Sequence, residues 1–271
     1  MRRFAEERPL YFSVLITMFL FGITFVCRAL LPAVPVGNLA KLPRKTFEPP
    51  EGFGLILSDM RSPETLFWAL AIVLGLVLLA WTGWWADVGF TRPSRWRNVR
   101  LLAFPLLVCA LTLSGGVFTG GPGALTSTFL AVLVATLGEE IIFRGLLWRA
   151  LVDKGPVLAV VLTSLLAGLL VLGRTATAGP WPEAVRLAAL AFCGGFTYGA
   201  LRWRSTSIWP GIVVHTAFAF AVGIATLGTF TFRLVILLST VGFVAYGLYL
   251  LRNPRVRANG GLTKPAPRRV R

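Results

Sequence analysis

The sequence predicts an all-α fold: a polytopic membrane protein of about eight transmembrane helices with both termini in the cytoplasm. Three observations carry this. The chain of 271 residues is 56% hydrophobic and only 14% charged, where a soluble domain carries about 25% charged residues. Its mean hydropathy is +0.75. Apolar runs close to the roughly 20 residues that cross a bilayer as a helix recur along its whole length. The net charge of +16 falls between those runs and at the tail, so a membrane accounts for it and no nucleic acid is expected as a partner.

The first run, 10–31, follows the basic start "MRRFAEERPL". It is longer than a signal-peptide core of about 7–15 residues, and no small-x-small cleavage site follows it. It is expected to stay as a membrane helix. The next runs are 65–83, 100–118, 125–150, 156–173, 184–201, 207–229 and 231–251. Between the first two lies an irregular loop, 32–64, rich in proline and glycine ("LPAVPVG", "EPPEGFG"). Residues 252–271 lack apolar periodicity and read as a disordered basic tail that touches anionic lipid.

Orientation follows the lysines and arginines. Arg2, Arg3, Arg8, Arg92, Arg95, Arg97, Arg149, Lys154, Arg202, Arg204 and the tail fall on one side. A smaller set, including Arg28, Arg61, Arg174 and Arg186, falls on the other. The richer side is assigned to the cytoplasm of a bacterial plasma membrane, where the chain is multi-pass. The expected organisation is 1–98 (two helices and the outside loop), 99–251 (the site-bearing helices) and 252–271 (the tail). Cys27, Cys109 and Cys193 sit in apolar runs and read as small buried hydrophobes with no disulfide frame. Gly116 with Gly120, and Gly195 with Gly199, have the spacing that lets helices approach closely, here within one chain.

The fourth run contains "LGEEIIFRGLLW", which puts Glu139, Glu140 and Arg144 among apolar residues. Ionisable residues at such depth are costly and point to function. Glu140 and Arg144 stand at i and i+4, so an ion pair between them is expected. That leaves Glu139 for proton transfer. The one histidine of the chain, His215, lies in the seventh run. Counting from the cytoplasmic ends, Glu139 is roughly 16 Å deep and His215 roughly 12 Å deep at 1.5 Å per residue. A carboxylate and an imidazole meeting at that level could activate water or relay a proton.

The wording of these runs resembles the CAAX-protease and bacteriocin-processing family of intramembrane proteases, the CPBP or Abi family. "EEIIFRG" (Glu139, Glu140, Arg144, Gly145) resembles its EExxxR signature. "STSIWPGIVVH" (Trp209, Pro210, Gly211, His215) resembles its later Trp-Pro-Gly…His motif, and "FTYGALRWR" and "GFTRPSRWR" are similar to family loops. The resemblance spans roughly residues 85–225. It implies an eight-helix endopeptidase that acts near the cytoplasmic membrane surface on membrane-bound proteins or peptides. Eukaryotic relatives remove the last three residues of prenylated CAAX proteins. Glu139 would be the base that activates water, His215 would stand on the oxyanion side, and Arg144 would orient the acidic pair of Glu139 and Glu140.

Two expected residues are missing. Val171 stands where the resemblance calls for a histidine, with Ala167 in place of the preceding Phe, and Ala219 stands where it calls for an asparagine. The family resemblance allows a divalent metal such as zinc, for which Glu139 and His215 would be the ligands. The chain lacks the three or four ligands of an ordinary zinc site, so no cofactor is expected. Three readings stay open: a protease of reduced activity, a catalytically inactive relative serving as scaffold or regulator, and a small proton-coupled transporter. The last lacks the internal repeat of the glutamate motif that many carriers show. Thr163, Ser164 and Tyr198 are candidates to fill the gap left by the missing residues.

Overall fold

The computed structural model describes residues 1–30, 63–91, 100–117, 121–177 and 180–252. Most of the outside loop, Arg92, Arg95, Arg97, Gly120 and the tail beyond Arg252 lie outside the described residues. The fold is all-α. A short α1 (Arg2–Glu7) leads into α2 (Pro9–Leu30), α3 (Pro63–Thr82) and α4 (Ala103–Leu113). Next come α5 (Pro122–Glu139), a π-helical stretch (Glu140–Leu147) and α6 (Trp148–Leu151), which together form one continuous rod. They are followed by α7 (Pro156–Ala176), α8 (Trp181–Ser205) and α9 (Trp209–Ile224). The last rod is α10 (Thr229–Leu237), a π-helical turn (Leu238–Gly242) and α11 (Phe243–Arg252).

Five of these segments are long and apolar enough to cross a membrane: α2, α3, α7, α8 and the last rod. The chain is an integral membrane protein. Each predicted apolar run coincides with a helical segment, but two end early. The third stops at Leu113 and the seventh at Ile224. The residues after them pair with each other instead. Thr226 N–H donates to the Gly116 carbonyl at 2.9 Å, beside an antiparallel bridge between Val117 and Ala225. Gly116 has φ of 109°, a backbone state that suits glycine. It therefore serves a turn, which corrects its reading as a helix-packing glycine.

Gly195 and Gly199 do pack within the chain. A Cβ on Gly199 would meet Val160 of α7 at 3.2 Å, and one on Gly195 would press on Arg144 and Ser164. This small-residue seam lets α8 lie close to α7 and the π-helical stretch. On the other side, Phe12 and Leu20 of α2 and Phe67 and Ala71 of α3 form one buried cluster with Ile142, Phe143, Leu146 and Leu147. The π-helical stretch is thus wrapped on all sides. Large apolar side chains such as Met18, Phe19, Val77 and Trp81 are exposed and make the lipid-facing surface.

The segment after α3 pins the start of α9. Ile208 N–H donates to the Gly89 carbonyl at 3.0 Å, Trp209 Nε1–H to the Phe90 carbonyl at 3.1 Å, and the Ser207 hydroxyl to the Thr91 carbonyl at 2.7 Å. Pro210 then sits in the first turn of α9, where its missing N–H costs nothing. The Trp-Pro-Gly turn therefore fixes where the helix carrying His215 begins.

Candidate active site

The geometry starts from the helix that carries the charges. From Glu140 to Leu147 the backbone is π-helical, a wider winding that appears mostly in short pieces at functional sites. Widening the turn changes which side chains meet. Arg144 Nη1 donates to Glu139 Oε1 at 3.1 Å, five residues away, while its Nε stands 3.7 Å from Glu140 Oε1. The expected pairing of Arg144 with Glu140 alone is thus corrected: one guanidinium spans both carboxylates, and its hydrogen bond goes to Glu139. Arg144 and Glu140 have no exposed side-chain surface, and Glu139 keeps a little.

Two glycines make room for this buried charge. A Cβ on Gly211 would sit 2.9 Å from Glu140 Oε2, and one on Gly195 would collide with Arg144 Nη2. Both positions need glycine for the space, so the Trp-Pro-Gly turn contributes to the site as well as to the helix start.

His215, on the second turn of α9, meets Glu140 with Nδ1 3.1 Å from Oε1. Its hydrogen bond is therefore to the second glutamate, while Glu139, matched to it in depth, has a ligand atom within 4.8 Å of it. An ionised carboxylate only accepts, so Nδ1–H donates and Nε2 is left for a ligand. The ring stacks on Tyr198 at 4.6 Å and 24°. Next to it, the Thr216 and Thr136 hydroxyls pair at 2.7 Å, which sets the register of α9 against α5.

Glu139 and His215 both line a cavity of about 250 Å³. Val171, Ala219 and Tyr198 line it too, and at its far end stand Arg28, Glu64 and Arg174. The cavity therefore reaches Glu139 from the end holding the C-termini of α2 and α7 and the N-terminus of α3. The arginine bias assigns that end to the non-cytoplasmic side, whereas the resemblance implies a site near the cytoplasmic surface.

Residues 121–221 match the family model Rce1-like, described as type II CAAX prenyl endopeptidase Rce1-like. Over that segment the chain is similar to this family. The match runs from the residue before α5 into α9 and contains Glu139, Glu140, Arg144 and His215. At family level it supports a CAAX-protease-like intramembrane endopeptidase. No curated protein and no solved structure matches the chain.

Within the matched segment, Val171 and Ala219 line the same cavity as Glu139 and His215. The apolar replacements therefore stand in the site itself. Thr163 and Ser164 do not compensate for them. Both are fully buried and spend their hydroxyls on their own helix, Thr163 on the Ala159 carbonyl at 2.8 Å and Ser164 on the Val160 carbonyl at 2.7 Å. Tyr198 is the one of the three that lines the cavity.

Glu139, Glu140 and His215 offer ligand atoms that all lie within 4.8 Å of one another, a spacing that could bracket a divalent cation. The commitments of these atoms argue otherwise. Glu140 Oε1 is bonded to His215, and the Arg144 guanidinium already lies against both carboxylates. That leaves Glu139 and His215 Nε2, fewer protein ligands than a catalytic zinc takes. The residues present do not fit a zinc ion in this arrangement.

Several participants had no sequence signal of their own. The π-helical winding, the Tyr198 stack and the Thr136–Thr216 pair connect residues far apart in the chain or depend on a backbone choice that periodicity does not reveal. The glycines carried a signal, but of close packing in general and not of space for Arg144.

Proposed function

We propose that the chain is an intramembrane endopeptidase that cleaves membrane-associated protein or peptide substrates with water activated by Glu139. The convergence of Glu139 and His215 on one cavity, beside a buried Glu140–Arg144 support, carries this reading. Glu139 accepts a proton from a cavity water, and the resulting hydroxide attacks the scissile carbonyl carbon. The C–N bond breaks and the proton passes to the leaving amine. Glu140 orients His215, which stands on the oxyanion side of the cavity. Arg144 holds the Glu139 carboxylate in place.

Val171 and Ala219 supply no polar group at this end of the cavity. Losing one oxyanion donor costs about 10²–10³ in rate, so turnover is slow. The same two residues favour a second reading, an inactive relative that keeps the pocket to bind a membrane partner. The two readings separate in a cleavage assay with full-length protein in lipid. Glu139→Ala and His215→Ala each abolish a native activity if the protease reading holds. If wild type is inactive and Val171→His with Ala219→Asn creates activity, the chain is a degenerate protease.

The richer arginine side is taken as cytoplasmic, and residues 99–251 as the unit that carries the site. Labelling of single cysteines placed at residue 2 and next to Arg174, from each side of sealed vesicles, tests this topology. Reaction of both from the same side would refute it.

A further inference from the structure

Stabilising an oxyanion takes a hydrogen-bond donor at the Glu139 end of the cavity, and the groups already described do not supply one. Val171 and Ala219 are apolar. With Nδ1–H donating to Glu140, the neutral His215 ring presents a lone pair at Nε2, which accepts and cannot donate. Arg144 lies against both carboxylates. Two cavity hydroxyls are spent elsewhere: Thr136 pairs with Thr216, and Thr175 donates to the Val171 carbonyl of its own helix at 2.7 Å. Arg28, Arg174 and Trp68 belong to the far end, where the Arg174 guanidinium lies over the Trp68 ring at 5.1 Å. Thr128 stands about three turns from Glu139 along α5.

Tyr198 is placed differently. It is buried and lines the cavity, and among the described residues its hydroxyl makes no hydrogen bond. The ring is fixed by its stack on His215 at 4.6 Å and by Phe243 at 6.3 Å. Its hydroxyl lies over Gly194, where an added Cβ would stand 3.2 Å away. The ring therefore runs back one turn along α8, toward Ala191 and Leu190, which line the cavity. The short turn after Ser205 makes α9 antiparallel to α8, and an added Cβ on Gly211 would meet the Tyr198 Cβ at 3.7 Å. One turn further along α9, His215 comes level with Gly194 and the hydroxyl, and Ala219 follows one turn beyond.

We propose that the Tyr198 hydroxyl is the oxyanion donor of this site, a catalytic group that takes the place of the polar residues absent at Val171 and Ala219. This deepens the protease reading given above and rests on it. An ordinary phenol is protonated at neutral pH and so has an O–H to give. As the hydroxide attacks, the new C–O bond forms and the carbonyl π pair moves onto the oxygen. Tyr198 donates a hydrogen bond to that oxygen and keeps its proton. The stacked ring holds the donor in place before the charge develops, and no protein group competes for it.

Tyr198→Phe tests this cleanly, because it keeps the ring and leaves no partner unpaired. The variant should melt with wild type. Its maximal single-turnover rate on a membrane-anchored peptide is expected to fall about 10²-fold, with the half-saturating concentration unchanged. Cleavage that depends on Glu139 but not on this hydroxyl overturns the proposal and leaves the protease reading intact. A second readout needs no turnover. Full-length Glu139→Gln protein in lipid nanodiscs is mixed with an acylated apolar peptide aldehyde labelled with carbon-13 at the aldehyde carbon. The infrared C=O band should lie at lower frequency there than with the Glu139→Gln, Tyr198→Phe double variant. Equal band positions overturn the assignment, as does failure of the peptide to bind either protein. A chain that shows the shift but never cleaves keeps Tyr198 as the carbonyl donor and loses the protease reading.

Discussion

Arg144 donates to Glu139 across five residues at 3.1 Å and stands 3.7 Å from Glu140, so a single buried cation serves both carboxylates. In a regular α-helix the i,i+4 neighbour would take the contact. The π-helical winding moves it one residue further and leaves Glu140 to hold His215.

Removing that cation should be severe. Arg144→Ala leaves two buried carboxylates uncompensated, and breaking a buried pair in this way costs about 3–5 kcal/mol. The expected outcome is a large loss of stability in detergent unfolding. Arg144→Lys should recover only part of it, because a compact ammonium cannot lie along both carboxylates.

Space for the guanidinium comes from Gly195. Gly195→Ala should lower the melting temperature and disturb the site together, since the added methyl meets Arg144 Nη2. Gly22→Ala and Gly123→Ala meet nothing within 4 Å and should be neutral in the same melts.

The Glu140–His215 contact at 3.1 Å should appear as coupling. Glu140→Gln and His215→Gln should each reduce activity. The double variant should lose much less than the product of the two, because groups acting as a unit are not additive. Cleavage rates of the four proteins measure this, and simple multiplication would contradict the contact.

Chelation should leave activity unchanged. The carboxylates are committed to Arg144 and His215, so overnight dialysis against a chelator should not alter the cleavage rate. A loss restored by zinc would show that the cluster opens to take a metal.

Much of the fold was legible in the sequence because hydrophobic runs of spanning length are a strong signal. The early ends at Leu113 and Ile224 were not, since Gly116 and Thr226, which lie several helices apart in the chain, pair with each other. The site residues Glu139, Glu140, Arg144 and His215 stood out because charge in an apolar run is costly. Their pairing did not, because it depends on the π-helical winding. Arg174 was read as a topology marker near a helix end, and only the fold puts its guanidinium over Phe67 and at the edge of the cavity.

The central claim is that Glu139 activates the water. Its most direct test is the single-turnover cleavage rate of a membrane-anchored peptide by wild type and Glu139→Gln, with folding checked by melting. The account predicts that the glutamine variant stays folded and its cleavage falls by about 10²-fold or more. Equal rates for the two proteins would contradict it.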